Sequence, residues 1–378
     1  MRSKKFIFLV VLFLLLLSQI PFAYRRFKLR RLSGAIQQIN SQRAPAPTNG
    51  FNEYKGVVHV HSFLGGHSSG SFGEIISAAQ ANQLQFVIMT EHVEKDFDTA
   101  AMTLKDTHGG VLFINGNEVR AENGDRQLVL PGDVSIVAYP EEFKNWDSAR
   151  LNGVEVYNVF TNAKQANPLV AFFDVLWSQR AYPDLIFALY FQRPDEGLKK
   201  WDHALTRAKL TATAGNDAHA NIGVSLQGSS GKTLLGIQLD PYEVSFRLVR
   251  LHVLIEQGKP LDATSLMAAI RAGHCFIGFD FLGDSTGFAF EAVNGSNLKI
   301  QGDEILLQPG TQLRVRSPVP ARVTIFKDGS VFTSQSDLTD KMFPITEKGV
   351  YRAEIYLPQL GNLVTQKPWI ISNPIYVR

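Results

Sequence analysis

Four short segments of the sequence place histidine or carboxylate side chains directly after an apolar run. They are His59-Val60-His61, Glu91-His92, Glu118 and Asp217-Ala218-His219. Each segment alone has an ordinary structural explanation, such as two imidazoles packed on one strand face or an acidic turn cap. All four together favour a metal site, because imidazole and carboxylate ligands together suit Zn, Mn or Fe. A bridging glutamate would also let two cations lie close together. We therefore predict a centre for divalent metal ions.

The apolar runs before these segments have the lengths of buried strands. They cover residues 55–61, 86–89, 111–114, 134–138, 154–157 and 210–214. Helices are expected after Ser71, whose spacing to Glu74 is that of a capping box, and near 168–179 and 196–208. Alternating strands and helices are typical of a parallel α/β sheet or barrel, whose carboxyl edge carries the ligand-binding loops. The four segments fall at that edge.

Four ordered motifs resemble those of the PHP (polymerase and histidinol phosphatase) superfamily, in particular its carbamate-hydrolase-like branch of metallohydrolases. They read HVHSFLGGHSSG, TEH, GNE and GNDAH, and the resemblance covers about residues 51–280. It implies a distorted seven-stranded β/α barrel with metal ions at the carboxyl ends of the strands. The last residues, SNPIYVR, are similar to the end of a β-domain often appended to the barrel in this branch.

The resemblance also implies two sets of metal ligands. One ion is assigned His59, His61, Glu118 and Asp217, and a second ion is assigned His67, His92 and His219. A third ion is ordinarily held in the family by the shared glutamate and two further histidines. Tyr139 and Asp125 stand where those histidines are expected. We therefore predict two divalent ions (Zn, Mn or Fe) rather than three, with Asp125 left open as an additional ligand.

Catalytic roles follow from the same resemblance. Glu118 and Asp217 are the central carboxylates, Glu91 is expected to orient an imidazole, and Tyr139 is expected to donate a hydrogen bond. The implied mechanism is attack by metal-activated water on a phosphoryl or acyl centre.

Two arginines and several other polar residues complete the candidate list. Arg120 and Arg126 could bind an anionic substrate, although an exposed salt bridge is the commoner role for such residues. Asn158 and Asn216 are candidates for polar groups at the edge of the site. The histidines that lack partners at recognisable spacing are expected to be structural or exposed, and they are His108, His203, His252 and His274.

The first 31 residues have the features of a membrane anchor. Residues 6–24 form a largely apolar stretch of 19 residues between basic clusters, about 28 Å long as a helix. A cleaved signal peptide is the alternative, but Pro21-Phe22-Ala23 is a poor cleavage site and Arg25-Arg26 follows it at once. We favour an uncleaved single-pass anchor. Because basic residues flank both ends, the orientation stays open; a periplasmic or otherwise extracytoplasmic body is our expectation.

The charge distribution argues against a nucleic-acid partner. The net charge of +3 arises from the eight Lys and Arg residues among residues 1–31, and the other 347 residues hold 30 basic and 35 acidic side chains. A protein that binds nucleic acid without sequence preference needs a basic face. The single cysteine, Cys275, excludes an internal disulfide framework.

The rest of the chain is divided by composition. Residues 32–50 are polar and contain Ala44-Pro45-Ala46-Pro47, which predicts an extended linker. Residues 51–283 are assigned to the barrel. Residues 284–378 show period-two patterning and the hairpin signal Asp328-Gly329, which predict a small antiparallel β-sandwich domain.

These features predict a membrane-tethered, divalent-metal-dependent phosphoesterase that acts on a small molecule. Two alternatives stay open. One is a carbamate, ester or amide hydrolase of the same fold. The other is a PHP-fold module that binds a ligand without turnover, for which Tyr139 and Asp125 are the motivation.

Overall fold

The computed structural model describes residues 2–46, 49–146, 151–220, 223–227, 233–238 and 240–378. The helices in these residues are α1 (Arg2–Asn40), α2 (Phe72–Ala81), α3 (Thr99–Met102), α4 (Val159–Ala163), α5 (Pro168–Ser178), α6 (Asp195–Ala204), α7 (Tyr242–Leu248) and α8 (Ala263–Ala272). The strands of the first half are β1 (Phe51–Val60), β2 (Phe86–Met89), β3 (Glu91–His92), β4 (Asp106–His108), β5 (Val111–Ile114), β6 (Asn117–Arg120), β7 (Arg126–Leu130), β8 (Val134–Ala138), β9 (Gly153–Asn158) and β10 (Thr211–Gly215). The strands of the second half are β11 (Gly223–Gln227), β12 (Thr233–Gln238), β13 (Arg250–Glu256), β14 (Cys275–Gly278), β15 (Ala289–Asn294), β16 (Asn297–Ile300), β17 (Glu304–Ile305), β18 (Gln312–Lys327), β19 (Ser330–Pro344), β20 (Gly349–Tyr356), β21 (Ile370–Ser372) and β22 (Ile375–Val377).

The protein is mixed α/β, with its strands in two large sheets and one separate hairpin, β11–β12. The larger sheet has the order β16-β15-β18-β20-β21-β14-β13-β1-β2-β5-β4, with β17, β19 and β22 attached at its side. The smaller sheet has the order β10-β9-β8-β7-β6-β3. As the sequence predicts, β1, β2 and β5 are parallel, and so are β8, β9 and β10.

The sheets are not closed, so the predicted seven-stranded barrel is not confirmed. Residues 51–56 of β1 pair with β13, and this pairing occupies one edge of the strand. The end of β10 approaches that edge further along, where Asn216 N donates to Val58 O at 2.9 Å and His61 N donates to Ala218 O at 3.0 Å. The two sheets therefore meet at the carboxyl end of β1, which is where the candidate site lies.

The local elements form for reasons that the sequence already shows. Ser71 accepts a hydrogen bond from the backbone of Glu74, and the Glu74 side chain accepts from the backbone of Ser71, so α2 begins with the predicted capping box. Ile75 and Ala79 pack on the core from this helix, and all four residues of β2 are buried. A short apolar strand of this kind is stable when both of its faces are covered.

The N-terminal helix α1 is longer than the predicted anchor. An 18-residue stretch within it has a mean hydropathy of 2.6 and contains no buried residue, so by length and composition α1 could cross a bilayer. Its second half packs on the body through Leu29, Leu32 and Ile39, which are buried. Residues 32–40, which we assigned to the linker, are therefore helical. Apolar side chains at this spacing form one helix face, and the body covers that face.

The C-terminal strands are joined to the first part of the chain. The hairpin of β18 and β19 turns at Asp328-Gly329 as predicted, with φ angles of 51° and 80° that suit a two-residue turn. However, β14 pairs antiparallel with β21, so hydrogen bonds run across the predicted boundary at residue 283. The predicted sandwich is thus not an independent sheet, because its inner edge is taken up by backbone pairing with β14.

Candidate metal centre

The candidate centre is assembled from strand ends and the loops after them. His59 and His61 come from the end of β1, His92 from β3, Glu118 from β6, and Asp217 from the loop after β10. His59 and Asp217 have positive φ angles of 67° and 47°. Such conformations are costly for residues other than glycine and are concentrated at functional sites. At His59 the pairing of β1 with β2 also shifts register, which redirects the strand end.

His59 is fully buried between carboxylates. Its Nδ1 lies 2.7 Å from Glu155 Oε2, and its Nε2 lies 3.4 Å from Glu118 Oε2 and 3.6 Å from Asp217 Oδ1. Burial alone would lower the pKa of His59, but the charges of Glu155 and Asp217 and hydrogen bonds to Glu118 and Glu155 raise it well above its usual value. Three carboxylates therefore converge on one imidazole, as expected where a cation is bound.

His61 provides the clearest sign of a missing partner. Both of its ring nitrogens are buried without a hydrogen bond, and so is Oδ1 of Asp217, which lies 3.4 Å from His61 Nε2. Buried polar atoms in folded proteins are nearly always paired. Burial lowers the pKa of His61 to about 3, so the ring is neutral at pH 7 and retains a lone pair for a ligand bond.

His61 lies between two further imidazoles. Its ring is stacked on that of His92 at a centroid distance of 4.5 Å and on that of His219 at 4.2 Å. His92 Nδ1 is 3.4 Å from Glu118 Oε2. Two groups of potential donor atoms result, each within 4.8 Å of one another: His59, His61 and Glu118 in one, and His61, His92 and His219 in the other. These His and Glu clusters are compatible with metal binding.

Further polar side chains hold the two acidic residues in place. Arg126 Nη1 donates to Glu118 Oε1 at 3.1 Å, and its guanidinium lies 5.0 Å from the centre of the Tyr139 ring. The Tyr139 hydroxyl donates to Asp217 Oδ2 at 2.7 Å, and Asn158 Nδ2 donates to the same oxygen at 3.3 Å. Asp217 Oδ1 therefore stays directed at the imidazoles.

The electrostatics keep both acidic groups ionised. Burial opposes ionisation of Glu118, but the hydrogen bond and charge of His59 lower the pKa of Glu118 to about 2. Burial likewise opposes ionisation of Asp217, but the charge of the neighbouring His59 holds the pKa of Asp217 well below its usual value. Burial and the charge of Asp217 raise the pKa of the Tyr139 hydroxyl, so it remains a proton donor at pH 7.

His67 lies at the edge of this arrangement. It is exposed, and its ring is edge-on to that of His92 at a centroid distance of 5.0 Å. The loop that carries it is attached to the segment after β10, because Ser68 Oγ donates to His219 O and Ser69 Oγ donates to Ala220 O at 2.9 Å. His67 is thus adjacent to the second donor group and outside both of the groups that cluster within 4.8 Å.

Two residues have contacts other than those we expected. Both carboxylate oxygens of Glu91 are bonded to Ser62, whose N and Oγ donate at 2.9 and 2.7 Å, and Thr103 Oγ1 donates to the same group at 2.6 Å. The hydrogen bonds of Glu91 therefore fix the loop after His61, instead of orienting an imidazole as expected. Asp125 accepts from the backbone N atoms of Lys144 and Asn145 at 2.9 and 3.0 Å. Its carboxylate is used to tie two loops together, which argues against a role as a ligand.

The arginines that we named as substrate contacts differ in setting. Arg126 is partly exposed while it binds Glu118. Arg120 is exposed and lies directly opposite Arg126 in the pairing of β6 with β7. The guanidinium of Arg126 therefore contacts the centre, and Arg120 is its neighbour on the adjacent strand.

Glu155 is the functional residue that sequence reasoning missed. It is buried on β9, where it accepts from His59 Nδ1 at 2.7 Å and from Asn158 Nδ2 at 2.8 Å. This pairing holds the Nδ1–H of His59, which leaves Nε2 as the nitrogen directed at Glu118 and Asp217. The signal available in the sequence was an acidic residue inside an otherwise apolar strand, Val154-Glu155-Val156. Gly215 makes room for it, since a Cβ atom there would lie 2.1 Å from Glu155 Oε2.

Comparisons with known proteins add one distant likeness. No protein-family model matches the sequence, and no curated protein matches it. Among solved structures, the chain is similar to a two-domain protein from Bacteroides vulgatus described as containing a predicted PHP-like metal-dependent phosphoesterase. The identity is 12%, the match covers 88% of this chain and 98% of that chain, and the TM-score is 0.36. A likeness at this level does not assign an activity.

Proposed function

We propose that this chain is a membrane-tethered hydrolase of the PHP type that depends on divalent metal ions and cleaves a small-molecule phosphoester. One observation carries the proposal: the buried Nε2 of His61 lies 3.4 Å from the buried Oδ1 of Asp217, and neither atom has a hydrogen bond. A neutral imidazole nitrogen and an ionised carboxylate oxygen are both ligand types for a divalent cation, and a cation bound by the two atoms would satisfy both of them.

The donor atoms fit divalent ions. His59, His61, Glu118 and Asp217 would hold one ion, and His92 and His219 would hold a second with His67 adjacent. A bound divalent cation supplies Lewis acidity, which lowers the pKa of water and polarises a phosphoryl oxygen. The local charge also favours cations, because Glu118, Asp217 and Glu155 bring three carboxylates to a region where Arg126 is the adjacent guanidinium.

The other residues of the centre would orient the ligands and bind the substrate. Glu155 holds Nδ1 of His59, and Tyr139 holds Oδ2 of Asp217, so the remaining donor atom of each ligand is directed inward. Arg126, with Arg120 opposite it on the adjacent strand, favours an anionic substrate over a neutral ester or amide, because a guanidinium matches the charge and geometry of phosphate. This is the reason that we place a phosphoester ahead of a carbamate or carboxylic ester.

A second candidate function is binding without turnover, and Tyr139 is the residue that favours it. Its hydroxyl already occupies Asp217 Oδ2, and burial makes it a poor base or ligand because the pKa is raised. A centre completed by a phenol where the family has an imidazole could hold ions and a ligand without cleaving it.

The test is metal content and turnover measured on the same full-length preparation in detergent. We expect about two divalent ions per chain by elemental analysis. We also expect hydrolysis of phosphomonoesters or phosphodiesters that chelation abolishes and metal restores. Turnover of carboxylic esters or amides alone would favour the ester-hydrolase alternative, and bound metal with no turnover of either class would favour the binding module. A chain that takes up no metal under replete conditions would overturn the proposal.

A further inference from the structure

Helix α5 exposes a continuous apolar face. Leu169, Phe172 and Leu176 are 67, 48 and 64% exposed, and they are three and four residues apart along the helix. At 100° per residue these side chains fall within a narrow arc. The opposite side of the helix is buried on the body through Asp174 and Ser178.

The helix has no exposed charge. Asp174 is the only charged residue of α5, and its side chain is 1% exposed. Its carboxylate is bound by Arg25, with Nη2 at 2.7 Å from Oδ2, and by the hydroxyl of Tyr190. The exposed side of α5 is therefore made of Leu and Phe, and its one acid is buried in an ion pair on the other side. Such an apolar face is unusual for a surface in contact with water.

The contacts of α5 place it beside one particular part of α1. Phe173 stacks on Phe22 at a centroid distance of 4.9 Å, and Trp177 Nε1 donates to Gln19 Oε1 at 3.0 Å. Arg26 donates to the backbone carbonyl of Trp177. These partners are in residues 19–26 of α1, which is where the apolar stretch ends and the basic cluster begins. In an inserted helix this level corresponds to the boundary between hydrocarbon and headgroups.

The attachment of α1 to the body is firm enough to set the depth of α5. Leu29 and Leu32 are buried in the main core cluster, so the apolar stretch is joined to the body by a helix that packs on the body, and not by a flexible linker. If residues 6–24 span the bilayer, α5 must lie at its surface. Basic side chains around this level, from Arg26 to Arg31, can attract anionic headgroups, and Trp177 is of the residue type enriched at the interface.

We propose that α5 is an interfacial helix, which inserts Leu169, Phe172 and Leu176 into the headgroup boundary of the bilayer that α1 crosses. The inference rests on the membrane tether in the proposed function. Helices of this kind bury their apolar face roughly 5–10 Å into the boundary region. The body is then held by two elements, one that spans the membrane and one that lies on it, so its orientation to the lipid surface is fixed.

The test uses the full-length chain in vesicles of phosphatidylcholine and phosphatidylglycerol, with an environment-sensitive fluorophore on a single introduced cysteine. The native Cys275 is fully buried, so labelling is confined to the introduced residue. The labelled variants are Leu176→Cys on α5, Phe13→Cys in the apolar stretch, and Gln42→Cys as the control. Gln42 is exposed and follows the end of α1, whose last residue lies about 24 Å beyond residue 24 along the helix axis. Quenching is compared for lipids that carry a nitroxide near the headgroup or deep in the acyl chain.

The expected result is a blue-shifted emission at residue 176 that shallow nitroxides quench most, quenching at residue 13 by deep nitroxides, and neither effect at residue 42. If the label at residue 176 behaves like that at residue 42 while residue 13 is quenched, the interfacial helix is wrong and the tether stands. A label at residue 176 that is shielded from water but not quenched by lipid would overturn the proposal in favour of a protein contact. If residue 13 is also in water, both the tether and the interfacial helix are wrong.

Discussion

Nδ1 of His59 lies 2.7 Å from Oε2 of Glu155, and this buried pair determines which nitrogen of the imidazole faces Glu118 and Asp217. The two residues are 96 positions apart in the chain and come from different sheets. A carboxylate behind a ligating imidazole fixes its tautomer and raises its basicity. The affinity of the centre for divalent metal ions should therefore depend on Glu155, a residue that would not contact the ions.

Glu155→Gln tests this dependence. The amide keeps the volume but removes the charge, so we expect the affinity for divalent metal to fall about 10- to 100-fold while the fold is retained. Metal affinity is measured by competition with a chelating dye, and the fold is checked by circular dichroism. Glu142→Gln, at an exposed position, is the matched control and should leave the affinity unchanged. Equal affinity in both variants would show that Glu155 does not support His59.

Glu118→Gln and Asp217→Asn test the ligands themselves. Each removes one negative charge from the donor set at nearly constant volume, so we expect hydrolysis to be abolished and metal occupancy to fall. The fold should survive, because the strands around the centre are held by apolar packing. Elemental analysis and the phosphoester assay are run on both variants beside Glu142→Gln. Full activity in either variant, on a substrate that the wild type cleaves, would show that the assigned site is wrong.

Gly215→Ala tests the space behind the centre. A Cβ atom at residue 215 would lie 2.1 Å from Glu155 Oε2, so the carboxylate must move and His59 loses its partner. We expect weaker metal binding and a lower melting temperature, since overpacking a buried site costs about 1–3 kcal/mol. Gly34→Ala is the control, because nothing lies within 4 Å of a Cβ atom there. Wild-type affinity in Gly215→Ala would mean that Glu155 can be displaced without consequence.

His252 predicts how stability depends on pH. It is fully buried, with Nδ1 at 2.6 Å from Glu53 Oε1 and Nε2 at 3.3 Å from Asp280 Oδ2. Burial would lower the pKa of His252, but the charge of Asp280 and the hydrogen bonds to Asp280 and Glu53 raise it from 6.5 to about 9. A raised pKa means that this contribution is fully present below pH 6.5 and is lost as the pH rises through about 9.

The expected loss from this group is about 3 kcal/mol of unfolding free energy between pH 6.5 and 9. It is measured by urea unfolding in detergent, followed by tryptophan fluorescence. In His252→Gln that part of the pH dependence should disappear, whatever the absolute stability of the variant. His203→Gln, at an exposed position, should keep the wild-type slope. An unchanged slope in His252→Gln would show that another group is responsible.

The tether predicts that the protein resists extraction. The exposed apolar stretch of α1 should keep the full-length chain in the membrane fraction after a carbonate wash, with residues 1–24 still attached. A Leu12→Arg and Leu15→Arg double variant places two charges in that stretch at a cost of about 3 kcal/mol each, and it should be released. An intact mass that begins near residue 24 would instead identify the segment as a cleaved signal sequence.

The sequence by itself predicted most of the local structure. The runs at residues 86–89, 111–114 and 134–138 are strands with those bounds, α5 begins at Pro168, and α2 begins at its capping box. The Asp328-Gly329 turn was also predicted correctly. These features depend on side chains within a few residues of one another, so pattern and propensity are enough to find them. The motifs with His59, Glu118 and Asp217 also pointed to one place, because each follows a run that predicts a strand. The structure brings them together where the two sheets meet at the carboxyl end of β1.

Only the tertiary structure decided the features that depend on residues far apart in the chain. Glu155 is hydrogen-bonded to His59, and Asp125 accepts a hydrogen bond from the backbone of Lys144. Glu91 accepts hydrogen bonds from Ser62 and Thr103. The pairing of β1 with β13 kept the sheets open, and the pairing of β14 with β21 joined the two parts of the chain. Residues 32–40 became helical because the body covers Leu32 and Ile39. In each case the partner is distant in sequence, and the free energy that selects it arises from burial and pairing in the folded state.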